Sequence, residues 1–179
     1  GVKIVNVFPG NAARDLPAVS GNYLLSSGKT GEMLAVVDGG ELTARRTAAA
    51  SALAADYLAR KDASHMLMVG TGRLSANLVE AHRAVRPLRH VAVWGRNPEK
   101  AAATVAQLAQ VGIEARVADD LEAAAREADV ISCATLSTEP LVKGEWLKPG
   151  AHLDLVGGFR ASMREADDAA AARASVFVD

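Results

Sequence analysis

The chain has 179 residues, half of them hydrophobic, with 20 basic against 21 acidic side chains and a formal net charge of −1. That balance gives no electrostatic reason to expect a nucleic acid or an anionic membrane as partner, and no apolar run is long enough to span a bilayer. A single cysteine, Cys133, rules out a disulfide framework and points to a reducing, cytoplasmic setting; nothing at the start reads as a secretory segment.

In chain order, Val2–Phe8 (VKIVNVF) alternates like a strand and stops at the turn cluster Pro9-Gly10-Asn11. Residues 22–25 and 33–38 read as a hairpin joined by a turn over 26–31. A helix is expected over 42–60, with Thr43 as its cap and Ala50, Leu53, Ala54, Tyr57 and Leu58 on its apolar face. From His65 onward strands and helices alternate. Strands are expected near 65–69, 90–94, 113–117, 129–134, 151–156 and 175–178, and helices near 73–86, 98–110, 120–127 and 162–172. Such alternation predicts an α/β fold, a doubly wound (Rossmann-type) parallel sheet with helices on both faces. The first 60 residues would be part of a second, α+β domain, and 61–179 the nucleotide-binding domain. The chain opens in mid-strand and closes on another strand-like run, so it is expected to be a portion of a longer protein.

The informative junction is LMVGTGRLS. A strand runs into Gly70, Thr71, Gly72, Arg73, Leu74 and Ser75 and then a helix. Gly70 permits a tight turn, Gly72 allows backbone to approach a diphosphate at the helix N-terminus, and Ser75 keeps the third small position. The next strand ends in Trp94, Gly95, Arg96 and Asn97, where an NAD site would normally place an acid for the ribose hydroxyl. A guanidinium holds a phosphate bidentately, so Arg96 favours NADP(H), with NAD the alternative; the bland alternative is a solvated loop arginine. The loops 133–138 (CATLST) and 157–158 follow later strands and lie where ligands of such sheets bind.

Other polar residues leave choices open. Lys3 within an apolar strand is either an outward edge lysine or the partner of a ligand. Arg45-Arg46-Thr47 would open the helix, where cations are mildly unfavourable, unless an anion lies between them. The four histidines show no metal-ligand spacing, and Cys133 has no evident base beside it. Arg164-Glu165 and Asp167-Asp168 read as helix-surface charge.

KIVNVFPGN, LAVVDGGELTARRTAAASALAADYLAR, VGTGRLSANLVEAH, VAVWGRNPEKA, ADVISCATLSTEPLVKGEWLKPGAHLDLVGGF and MREADD together resemble the ornithine cyclodeaminase/mu-crystallin family, from one end of the chain to the other. The resemblance implies that Lys3 and Arg46 face the substrate, with Arg46 gripping its carboxylate. It implies that Thr47, the 70–75 turn, Gly95, Arg96, Asn97 and the loop Ala134, Thr135, Leu136 and Ser137 contact the dinucleotide. Ornithine cyclodeaminases proper carry an aspartate after the glycines of the fifth strand; here Phe159 follows Gly157-Gly158, and a phenyl ring neither takes a proton nor pairs with an ammonium. Asp154 falls too early and inside the strand to replace it. The run is instead similar to the branch that reduces cyclic imino acids such as Δ1-pyrroline-2-carboxylate and Δ1-piperideine-2-carboxylate. The expectation is therefore an NAD(P)H-dependent ketimine reductase acting as a homodimer; ornithine cyclodeamination or non-enzymatic, mu-crystallin-like NADP binding are the alternatives.

Overall fold

The structure, a computed structural model, describes residues 1–14, 16 and 19–178. It divides into two compact units, Gly1–Thr47 and Ala48–Asp179, with the boundary inside the first helix.

The first unit is an antiparallel sheet of β1 (Val2–Val7), β2 (Val19–Ser26) and β3 (Met33–Asp38), in that spatial order, followed by the start of α1 (Gly39–Leu58). β2 and β3 form the expected hairpin, closed by the Ser27 amide donating to the Glu32 carbonyl at 2.9 Å. Lys3 pairs in register with Tyr23, and Tyr23 with Val37, so these three side chains form one row across one face. The helix starts three residues before Leu42, because Asp38 rather than Thr43 caps it: the Glu41 amide donates to Asp38 Oδ1 at 2.7 Å. Thr43 instead turns its hydroxyl back onto the Gly39 carbonyl at 2.6 Å. Arg45 and Arg46 thus lie well past the first turn, and no dipole penalty applies to them.

The second unit is a parallel sheet in the order β6-β5-β4-β7-β8. Its strands are β4 (His65–Val69), β5 (His90–Trp94), β6 (Arg116–Val117), β7 (Val130–Cys133) and β8 (His152–Leu155), and its helices α2 (Ser75–Val85), α3 (Pro98–Gln110), α4 (Leu121–Glu127) and α5 (Asp168–Arg173) complete the winding. β4 is apolar without alternation because both its faces are covered. Met66 and Met68 join one core with Ala48 and Ala55 of α1 and Ala59 just after it, while Leu67 and Val69 join the other with Ala124, Ala125 and Trp146.

Three expectations are corrected here. The face of α1 read as apolar is the exposed one: Leu53 and Tyr57 stand out, and the buried stripe is Ala44, Ala48, Ser51, Ala52 and Ala55. Small residues allow a helix backbone to lie close to its neighbours, so bulk and burial part company. Residues 175–178 form no strand, since no described strand pairs with them and a ladder exists only where a neighbour supplies it. The helix expected over 162–172 is confined to Asp168–Arg173, where Asp167 caps it by accepting from the Ala170 amide at 2.9 Å. The preceding segment is a turn with its own long-range bonds.

At the amino end of this sheet Asp129 is a buried hub. It accepts from Arg60 at 2.8 Å, the Ser64 amide at 2.9 Å and the His65 amide at 3.0 Å, and pairs with Lys148 at 2.8 Å. Burial by itself would raise its carboxyl, but the bond from Lys148 and the two amides outweigh that and hold it well below the usual 3.8. Arg86 does similar work for α1, donating to the carbonyls of Ala55 (2.7 Å), Asp56 (2.7 Å) and Ala59 (2.9 Å) at that helix's carboxyl end.

Candidate functional site

Two groups of residues carry chemistry, one in each unit. In the second unit they cluster where β4, β5 and β7 end. Gly70 adopts φ +123°, closed to other residues, and a Cβ there would lie 2.6 Å from the Ala134 carbonyl oxygen. The Gly70 amide donates to the Trp94 carbonyl and the Ala134 amide to the Val69 carbonyl, both at 2.9 Å. The turn after β4 is therefore held between the loops that leave β5 and β7. Ser75, fully buried, donates its hydroxyl to the Gly70 carbonyl at 3.0 Å, a bond that a third glycine would lack. A Cβ on Gly72 would meet open space, and Leu74 gives α2 no side-chain cap. An open glycine turn leading into an uncapped helix N-terminus fits a diphosphate. Gly95 packs against the Thr71 side chain, which leaves no room for a Cβ.

Around this turn the expected contacts differ in what they can offer. Arg96 is exposed and forms no ion pair with any described residue. Asn97 spends its carbonyl oxygen capping α3, accepting from the amides of Glu99 (2.8 Å) and Lys100 (3.2 Å). Leu136 is exposed, whereas Ser137 donates its hydroxyl to the Glu139 carbonyl at 2.7 Å. Cys133, at the end of β7, is buried, and that burial, with Glu165 and Asp154 adding, pushes its thiol up and leaves it inert.

Glu165 is not surface charge. It is 3% exposed, and its carboxylate accepts from the Thr135 amide (2.6 Å), the Thr135 hydroxyl (2.8 Å) and the Gly157 amide (2.8 Å). Sequence reading missed it because its partners lie 30 and 8 positions away. Asp154 sits inside β8, accepting from Ser132 at 2.7 Å and Ser51 at 3.1 Å, and is committed to the interior. Phe159 is exposed, with the Arg160 guanidinium 5.8 Å from its ring centre.

In the first unit, Lys3 and Arg46 line one cleft of about 460 Å³ together with Tyr23, Leu25, Val37 and Leu42. Lys3 is held by the Thr43 hydroxyl through its ammonium group. The two neighbouring arginines separate clearly: Arg45 pairs with Glu41 at 2.6 Å, whereas Arg46 forms no ion pair with a described residue. An unpaired guanidinium and an ammonium beside apolar walls suit a small organic anion. Thr47, half-buried, follows on the same helix. Tyr23, Thr43 and Leu42 were not foreseen; the two-residue spacing of Tyr23 and Leu25 was the available signal.

The model of the ornithine cyclodeaminase/mu-crystallin family matches residues 1–179, and the chain belongs to that family. It is 45% identical over 180 residues to a Δ1-pyrroline-2-carboxylate reductase of Paracoccus denitrificans, covering 100% of this chain and 57% of that protein. Among solved structures it resembles the Thermococcus litoralis Δ1-pyrroline-2-carboxylate reductase in complex with NADH and L-proline, at 34% identity and a TM-score of 0.85, covering 94% of this chain and 52% of that one. An archaeal alanine dehydrogenase dimer with bound NAD is 36% identical with a TM-score of 0.82, covering 92% and 51%. The chain thus spans a little over half the length of the curated relatives it matches.

Proposed function

We propose that the whole protein to which this chain of the ornithine cyclodeaminase/mu-crystallin family belongs is an NAD(P)H-dependent reductase of cyclic imino acids. It converts Δ1-pyrroline-2-carboxylate or Δ1-piperideine-2-carboxylate to the cyclic amino acid, and it works as a homodimer. The observation that carries the reading is the cleft lined by both Lys3 and Arg46, the latter without an ion pair among the described residues.

A reduced nicotinamide, when bound, supplies the hydride; every other requirement falls to the chain. Arg46 binds the carboxylate, bidentate, and so fixes the ring and its C=N carbon. Lys3, steadied by Thr43, donates a hydrogen bond to the carboxylate or to the imine nitrogen and assists protonation of that nitrogen. Leu25, Val37 and Leu42 give the ring an apolar wall. The turn 70–75 receives the diphosphate on backbone amides, and Thr47, Gly95, Asn97 and the loop 134–137 complete the contacts. Arg96 takes the 2′-phosphate, which makes NADPH the preferred cofactor, with NADH accepted. Phe159 stands where the resemblance puts the carboxylate of ring-closing deamination, and Asp154 is held by Ser132 and Ser51, which favours reduction over that chemistry.

The test is NADPH absorbance with a panel of cyclic imines and the full-length protein. Consumption with a cyclic imino acid is expected. Ammonia from ornithine without net cofactor use would instead make it a lyase, and binding of NADPH with no oxidation would make it a binding protein. Arg46→Ala should lower kcat/KM for the imino acid at least tenfold, the loss of one charged hydrogen-bonded pair, and leave NADPH affinity nearly unchanged. Equal loss of both would move Arg46 to the cofactor.

A further inference from the structure

We infer that Glu165 is a positioning residue for the nicotinamide half of the dinucleotide. This rests on the reading that the cofactor lies over the carboxyl ends of the parallel sheet. The strand order β6-β5-β4-β7-β8 puts the phosphate turn of β4 between two territories. On the β5 side stands Arg96, suited to the adenosine phosphate. A dinucleotide that crosses the crevice at this switch point must lay its other half over the loops that leave β7 and β8.

Those two loops are what Glu165 joins. One carboxylate oxygen takes both the amide and the hydroxyl of Thr135, after β7; the other takes the amide of Gly157, after β8. The main chain beside it completes the clasp. The Arg164 amide donates to the Ser137 carbonyl at 2.7 Å, and the Glu165 carbonyl accepts from the amides of Leu141 and Val142 at 3.0 Å. A Cβ on Gly157 would collide with the Thr135 carbonyl and with Glu165 Oε1, so the loops touch with no slack. The Ala134 carbonyl in turn abuts Gly70. A buried carboxylate with three donors, all on ligand-side loops, fixes backbone that a weaker acceptor would leave to shift. The side chain touches neither substrate nor cofactor; it sets where the 134–137 loop and Gly157 stand.

Gln at this position keeps the shape but turns one acceptor into a donor that faces either Gly157 N–H or Thr135 N–H. The experiment measures two dissociation constants on the full-length protein: one for the reduced dinucleotide, and one for its nicotinamide-free fragment, ADP-ribose or the 2′-phosphorylated form. Glu165→Gln should weaken the dinucleotide about tenfold and the fragment by less than about twofold, because the loss falls on one half of the ligand. Thr135→Val should weaken the dinucleotide in the same selective way, and Thr135→Ser should restore it. The threonine pair carries the test if the Glu165 variant does not fold. Unchanged affinity for both ligands with a lowered Tm would make Glu165 merely structural and overturn the inference. Equal weakening of both ligands would also overturn it. A wild-type protein that binds no dinucleotide would remove the cofactor reading and this inference together, whereas a wild type that binds and variants that bind equally well remove this inference alone.

Discussion

In residues 48–179 the strand segment Met66–Val69 is at most 2% exposed, whereas in the first unit's sheet Val2 and Leu34 are both 61% exposed. Among the described residues, both buried apolar clusters draw only on positions from Ala48 onward. The contrast teaches how the candidate residues of each unit are encoded. The proposed nucleotide cradle is made of backbone, at Gly70, Gly72 and Ala134, and backbone holds a shape only where a dense core fixes it. The proposed anion cleft sets Lys3 of the open sheet and Arg46 of α1 among apolar side chains, and its chemistry depends on which charges the described residues leave without an ion-pair partner. Substitutions in the second unit should therefore act through stability and cofactor binding, and those at the cleft of the first through substrate affinity.

Asp129→Asn is the severest way to sharpen that contrast. Removing a buried carboxylate that faces Arg60 and Lys148 should cost about 3–5 kcal/mol in chemical denaturation. The sign with pH follows from its depressed value. Since the folded carboxyl titrates below its unfolded 3.8, its contribution is complete above that pH and is lost as the pH falls toward the folded value. The gap between wild type and variant should close only in acid; a gap that widened in acid would refute the hub.

Gly70→Ala should come next, costing about 1–3 kcal/mol from the positive φ and the approach to Ala134, and it should abolish dinucleotide binding. If binding persisted by calorimetry, the cradle would not be the backbone at this turn. Arg96→Ala should weaken NADPH about tenfold relative to NADH, in affinities measured side by side, with no stability change. An equal effect on both would leave Arg96 a solvated loop residue. The smallest effect belongs to Arg45→Ala, which breaks only an exposed pair with Glu41 and should cost less than about 0.5 kcal/mol. Its KM for the imino acid should match wild type; a rise like that of Arg46→Ala would erase the distinction between the two arginines.

Much of this was legible from residues alone. The β4–turn–α2 unit, the alternation that yields a parallel sheet and Arg96 at the end of β5 follow from turn chemistry and periodicity, which act over a few residues. Lys3 and Arg46 were legible only by likeness to a family, since neither spacing nor pattern relates positions 3 and 46. Their shared cleft depends on a sheet row and a helix turn coming together.

What tertiary structure alone decided was the partners and the burial. The alanine stripe of α1, not its leucines and tyrosine, faces the core; Glu165 is drawn into the interior; Asp129 collects two cations and two amides; and residues 175–178 stay outside any ladder. Each outcome is fixed by groups distant in the chain, through packing distance and hydrogen-bond satisfaction. Local sequence sets the periods and turns, but only the assembled fold determines which polar groups lose water and what must replace it.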